Sequence, residues 1–422
     1  MTLMKKLLGI VVLSLLLIHP VYAGTCKTPK NPKEKFVLAP EPIPYKRKTP
    51  TTRIEEVLSK RKTINVFRAW QKGYGNSKYS LYWDAAPTFK SMPHNFGLRE
   101  IFWHYITKSA ATWYGDMSKF IKDKRWYNKK MAKDEKAYGK RYIINHSHED
   151  FPKFITNVTK NNTKHLDGVF FDWWHDEHSF AGGLSKSIIK KSRINIAKEI
   201  RKQLGDEFLI FGNVNWRKDS GTHNLINGAF MELDKKKNSG YSCDQIKKID
   251  NLIRYHDQNL QEPRLIAVNP WKITKVPKKE IIDKLEYDKY WEKKDNKFYK
   301  EKFGLSRNKY YAMVYRQSEE NIKFAKLFTA MAMVIPENGY ILYGDNNPDN
   351  PEGDHFHDFY DFYNTDLGKA TSHGMEITEG LGYKKYEKGL IAYNRTKFKY
   401  TVKFEDGKKV EIGPLEGVFV KD

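Results

Sequence analysis

The chain has 422 residues, with 75 Lys and Arg against 51 Asp and Glu, a formal charge of +24, and 40% hydrophobic and 14% aromatic side chains. These proportions exclude a disordered or fibrous chain, because large side chains on this scale supply the burial that offsets ordering entropy. The excess charge is mostly lysine scattered along the length, not one basic stripe, so no nucleic-acid partner is expected, and an anionic glycan is the polyanion to consider.

Lys5 and Lys6 precede an apolar run over 7–18, followed by Pro20 and Val21-Tyr22-Ala23. A dozen apolar residues is short of the ~20 that span a bilayer, so 1–23 reads as a signal peptide cleaved after Ala23. The mature protein is then secreted or periplasmic, without stable membrane insertion. Residues 24–62 are rich in Pro and Lys with little periodicity and predict an arm, either a tether or a segment hugging the surface. Cys26 and Cys243 could pair in an oxidising compartment; their spacing offers no metal site.

Beyond the arm, short apolar runs alternate with amphipathic patterns. Strands are predicted at 63–70, 80–83, 101–106, 168–172, 208–212, 228–233, 264–269 and 339–343. The intervening helices have readable ends. Ser147 with Asp150 and Ser242 with Gln245 have capping-box spacing, Gly205 ends a helix over 188–204, and 321–334 carries Phe324, Leu327, Phe328 and Met331 before Pro336. About eight strands alternating with helices predict a parallel α/β sheet closed as a (β/α)8 TIM barrel over 63–374. A Lys-rich stretch at 272–316 is too long for an ordinary loop and reads as an insertion. Residues 375–422 change to short alternating segments with turn residues between them, predicting a small C-terminal antiparallel β domain.

In a parallel barrel, functional groups gather where strands end, because the βα loops form the mouth there. Asp172 closes the run Val169-Phe170-Phe171, with Trp173 and Trp174 beside it, and Glu232 closes Ala229-Phe230-Met231. Asn213, Asn269, Trp271, Tyr343 and Asp345 sit at or just past other strand ends. Arg68, Trp83 and Asp84 follow early strands; they are candidate substrate contacts, or a buried ion pair and core aromatics. Two strand-end carboxyl groups can divide the work of glycosidic cleavage, and aromatic faces stack on sugar rings, so Asp172 and Glu232 form the candidate catalytic pair. Each acid alone has a plainer reading, capping the next helix or pairing with a lysine.

His175-Asp176-Glu177-His178 and His355-Phe356-His357-Asp358 invite a metal-dependent polysaccharide deacetylase as the alternative. Neither has the HExxH or HxxEH spacing of a helical zinc site, so no metal and no cofactor is expected, and His357 is assigned instead to hydrogen bonding with sugar hydroxyls. A carbohydrate-binding barrel without activity is a further alternative.

Several segments together resemble a known family: Asp167-Gly168-Val169-Phe170-Phe171-Asp172, Asn227-Gly228-Ala229-Phe230-Met231-Glu232, Tyr343-Gly344-Asp345, the run from His355 to Asp361 with Asp366-Leu367-Gly368, and the stretch from Tyr386 to Asn394. They resemble the TIM-barrel glycoside hydrolases grouped as hypothetical glycosyl hydrolase family 15, a likeness extending from about Thr63 to the end. The resemblance implies a barrel followed by a small β domain, and hydrolysis of a carbohydrate substrate. By analogy with retaining barrel families it implies Asp172 as nucleophile and Glu232 as general acid and base.

Overall fold

The structure is a computed structural model that describes residues 25–46, 49–69, 78–83, 85, 89, 93–107, 127–131, 141–176, 184–218, 221–235, 240–273, 282–283, 286, 292–315, 318–344 and 359–422. The predicted signal peptide, Asp84, Asp345, His357 and the outer histidines His178 and His355 lie outside these residues.

Eight parallel strands form one sheet: β2 (Phe67–Arg68), β3 (Leu81–Trp83), β4 (Phe96–Glu100), β8 (Gly168–Phe171), β9 (Leu209–Asn213), β10 (Gly228–Leu233), β11 (Leu265–Pro270) and β12 (Asn338–Ile341). A parallel bridge from Val66 to Ile341 closes the sheet, with the Ile341 amide donating to the Asn65 carbonyl at 2.9 Å. This is the (β/α)8 barrel, followed by an antiparallel β domain.

Strand alternation decides what fills it. Phe67, Leu81, Trp83, Leu98, Phe170, Phe211, Phe230, Ala267 and Tyr340 point inward as one buried cluster, while Val169, Phe171, Ile210, Met231, Ile266 and Val268 point outward under the helices. Trp83 is the keystone of the interior, with ring centres 4.7 Å from Phe67 and Phe170 and 4.3 Å from Phe230. The outer layer includes α2 (Phe151–Asn162), α3 (Lys186–Leu204), α4 (Cys243–Asn259) and α7 (Glu319–Val334).

Two local expectations are corrected. The third barrel strand is 96–100, not 101–106; the latter stretch leads into β5 (Tyr105–Thr107), which belongs to a separate small sheet with β7 (Arg141–Ile144) and β6 (Tyr127–Met131). Gly97 and the charged Arg99-Glu100 hide the strand from a pattern search, yet Gly97 is required: a Cβ there would lie 2.5 Å from the Phe89 ring. Ser147 does not cap α2; its hydroxyl donates to Asn145 Oδ1 at 2.6 Å, and Asp150 makes no side-chain cap. The box at Ser242 does form before α4, with Gln245 N on Ser242 Oγ at 3.2 Å and Ser242 N on Gln245 Oε1 at 2.8 Å.

The arm contains regular elements packed on the rest of the chain. Thr52-Arg53-Ile54-Glu55 forms a complete capping box that starts α1 (Arg53–Ser59), whose Ile54 and Val57 plug the amino-terminal end of the barrel. Arg53 anchors the plug on the buried Asp167 at 3.3 Å. Earlier, β1 (Glu34–Leu38) adds in parallel to β16 (Lys399–Lys403), which pairs with β17 (Lys409–Ile412). Cys26 is disulfide-bonded to Cys243 at the start of α4.

In the β domain, β13 (Met375–Thr378), β14 (Leu381–Tyr386), β15 (Gly389–Asn394) and β18 (Glu416–Lys421) make an antiparallel sheet laid on α7. The approach is close: a Cβ on Gly417 would lie 2.2 Å from the Lys326 carbonyl oxygen. Arg395 and Arg254 grip the buried Asp250 of α4 at 2.6 and 2.7 Å, joining domain to barrel. Within the predicted insertion, α5 (Asn296–Phe303) and α6 (Arg307–Tyr315) have their own small core around Tyr299 and Tyr311.

Candidate active site at the carboxyl end of the barrel

The inward phase continues past the apolar filling. Two residues beyond Phe170, Phe211, Phe230 and Ala267 stand Asp172, Asn213, Glu232 and Asn269, a polar layer at the carboxyl ends of four adjacent strands. Period-two alternation therefore turns an apolar strand into a mouth residue without any change of direction.

Asn213 is wholly buried and joins the two acids. Its Nδ2 donates to Asp172 Oδ1 at 2.7 Å and to Glu232 Oε2 at 2.9 Å. Its Oδ1 accepts the Asn215 amide at 3.1 Å, which fixes which end of the amide faces the carboxylates, since only the nitrogen end carries hydrogens. Both acceptor oxygens are bonded to that one nitrogen, so they lie within about 5.6 Å of each other.

Asp172 is held from three directions. Oδ1 also accepts the Trp173 amide at 2.9 Å, and the Asp172 carbonyl accepts Trp103 Nε1 at 2.6 Å. Trp173 has φ +52°, a left-handed turn that swings the chain out of the strand at this point. Its half-buried ring lies between those of His104 and His175, at 6.2 and 5.9 Å. Asn269 donates to the Leu342 carbonyl at 2.8 Å, and Trp271, in the same inward phase, stands half-buried at the rim. The Trp271 amide donates to Tyr241 Oη at 2.6 Å, and that hydroxyl donates to the Leu233 carbonyl at 2.6 Å, tying β10 to β11. Burial pushes the Tyr241 phenol well above its ordinary range, so it stays a neutral clamp.

The remaining candidates lie elsewhere. Trp83 is barrel filling below the polar layer. Arg68 has the outward phase of Val66, its guanidinium 5.6 Å from the Tyr79 ring centre. Trp174 is buried outside the sheet, 4.8 Å from Phe171, with Nε1 on Thr222 Oγ1 at 2.7 Å. Tyr343 faces α7 and donates to Asn321 Oδ1 at 2.8 Å. The described mouth thus combines Asp172, Trp173, Asn213, Glu232, Asn269 and Trp271.

Two residues at this end escape a reading from sequence. Glu100 follows Phe96 and Leu98 in the inward phase of β4 and is half-buried; the misplaced third strand hid it. Trp103 supports Asp172 from a segment with no strand-end signal. Among the described residues no group of three or more His, Cys, Asp or Glu is placed to hold a metal, and no helix is long and apolar enough to cross a membrane.

The fold and this site define a (β/α)8 barrel with a polar, carboxylate-bearing mouth and an appended β domain. No protein-family model matches the chain, and no curated protein does. Similar solved structures include the glycoside hydrolase domain of PelA from Pseudomonas aeruginosa, with 9% identity over 53% of this chain and 87% of that one, at a TM-score of 0.33. An α-amylase from Lactobacillus plantarum has 7% identity, covering 80% and 88% of the two chains, at a TM-score of 0.41. An α-amylase from Malbranchea cinnamomea has 9% identity, covering 88% and 95%, at a TM-score of 0.37.

Proposed function

We propose that this protein is an exported glycoside hydrolase that cleaves an oligo- or polysaccharide by a retaining, two-step mechanism, with Asp172 as nucleophile and Glu232 as general acid and base. One observation carries the reading: a single buried amide, Asn213, hydrogen-bonds both carboxylates through one nitrogen and so keeps them close together, as a pair must stand when one attacks the anomeric carbon directly while the other serves the leaving oxygen. A water-activating, inverting pair stands at roughly 6.5–9.5 Å.

The roles follow from how each acid is held. Asp172 accepts two N–H groups on one oxygen, which fixes its position for attack. In the first step its carboxylate bonds to the anomeric carbon as the glycosidic bond breaks, and Glu232 gives its proton to the departing oxygen. In the second, Glu232 takes a proton from water, whose oxygen displaces Asp172. Trp271 offers a half-buried aromatic face for a sugar ring, and the +24 charge favours an anionic glycan. The amino-terminal leader pattern and the Cys26–Cys243 bridge support export.

The test is hydrolysis of a glycan panel with the product anomer followed by NMR. Retention is expected on the active substrate, with Asp172→Asn and Glu232→Gln each losing on the order of 10³-fold or more in kcat while keeping the wild-type circular dichroism spectrum. Inversion, or near-normal turnover by either variant, would remove the pair from these roles. Activity lost to EDTA and restored by zinc would favour the deacetylase.

A further inference from the structure

At the opposite end of the barrel lies a cavity of about 700 Å³, within the size range of small-molecule sites. Three parts of the chain enclose it: the arm through Pro44 and Tyr45, the amino-terminal ends of barrel strands through Asn65, Arg264 and Asn338, and the β domain through Lys384 and Tyr386. A strand of five or six residues separates this end from the Asp172 layer, roughly 13 Å or more along the sheet.

Its lining is unevenly charged. Lys46, Arg61, Lys62, Arg264, Lys369 and Lys384 contribute positive charge. Glu55, Glu262 and Glu337 oppose them, and all three are engaged: Glu55 in the capping box of α1, Glu262 and Glu337 with Arg264 at 2.9 and 4.0 Å. Arg61 donates to Asn338 Oδ1, a neutral acceptor, and Lys384 donates to the Pro336 carbonyl at 2.7 Å; among the described residues neither forms a salt bridge. A buried ammonium hydrogen-bonded to a carbonyl, with a guanidinium nearby, is costly to keep charged, and Asp257 and Glu337 offset only part of that cost unless an anion joins the two cations. Tyr45 and Tyr386 flank the space with aromatic surface, and Tyr45 Oη is itself oriented by Glu337 Oε1 at 2.9 Å.

We infer that this cavity is a second binding site, separate from the mouth, for a small ligand carrying an oxyanion, a phosphate or a sugar carboxylate, held between Arg61 and Lys384. The guanidinium supplies paired donors for two oxygens, and the lysine a point charge on the other side. Burial first, then the charge of Arg61, pulls Lys384 down to about 7, while Asp257 and Glu337 act the other way. An anion between the two cations would favour protonated Lys384, so binding should tighten from pH 8 to pH 6.

The experiment is calorimetric titration of the full mature protein with inorganic phosphate, glucuronic acid and, as the neutral control, glucose. Saturable binding of phosphate or glucuronate is expected, at least 10-fold tighter than glucose, unchanged in Asp172→Asn and weakened 10-fold or more in Arg61→Gln and in Lys384→Met. The tighter of the two anions identifies the source of the oxyanion. Circular dichroism checks folding of each variant, and either one, if folded, suffices for the test. Absence of saturable anion binding, equal affinity for glucose, or binding unchanged in a folded variant would overturn the proposal. None of these outcomes depends on the mouth being catalytic.

Discussion

Asn213 holds two groups of like charge at a separation where they repel, and it does so with a neutral amide whose hydrogens are both used. Its value to the site lies in positioning, and that can be separated from bulk. Asn213→Ala removes the donor and leaves the carboxylates to find their own rotamers; kcat should fall about 10- to 100-fold, with a smaller change in KM, because misplacement acts on the reacting geometry. Asn213→Asp keeps the shape but places a third carboxylate between the first two. Losing a donor disfavours the charged form of each carboxylate and added negative charge disfavours it further, so the pH profile of kcat/KM should move upward in both variants, and by about one unit more in the aspartate variant. A profile unmoved in both would assign Asn213 a packing role only.

The plug helix α1 shows how a short element earns its place by where it sits. Seven residues make a marginal helix in water, so its stability comes from packing Ile54 and Val57 under the barrel and from the reciprocal box of Thr52 and Glu55. Ile54→Ala should lower the unfolding free energy by about 2–4 kcal/mol, and Thr52→Ala by about 1 kcal/mol, both read from urea midpoints. In the sequence this box goes unread, because surrounding prolines and lysines carry no periodicity that announces a helix. The same contrast runs through the chain. Strands β8, β10 and β11 were legible because unbroken apolar runs end on a polar residue, and their phase carried Asp172, Glu232 and Asn269 into the mouth. Strand β4 was not legible, since Gly97 and Arg99 interrupt the run, the glycine for a reason found only in the tertiary packing of Phe89, and Glu100 went with it. The bridging amide was foreseen at a strand end as a substrate contact; that it spans two carboxylates is a matter of distance, which no sequence pattern encodes.

Across the whole molecule, the arm stitches barrel to β domain: Cys26 bonds to α4, β1 joins β16, and Pro44 bridges Ser372. The disulfide closes a loop with a sequence separation of 217, for which chain entropy alone suggests roughly 5 kcal/mol of stabilisation. Replacing both cysteines by serine should therefore lower the urea midpoint markedly, and reductant should have the same effect on the wild type but none on the variant. The buried face between the domains adds a pH term of the opposite kind. Lys384 titrates near 7 in the folded protein, below its ordinary range, because burial and Arg61 disfavour its charge. An unfolded lysine holds its proton up to about pH 10.4, so between these values the unfolded chain binds more protons and stability rises with pH. This one group costs most below pH 7 and almost nothing above pH 10.4. Lys384→Met fills similar volume without a charge and removes that slope. Its stability relative to wild type should consequently be greater at pH 7 than at pH 10, by on the order of 3 kcal/mol, measured as paired urea unfolding curves in the absence of added phosphate. A difference that stays constant across that interval would mean that Lys384 keeps its charge through contact with an anion or an acid, and the cavity around it would have to be read as already neutralised.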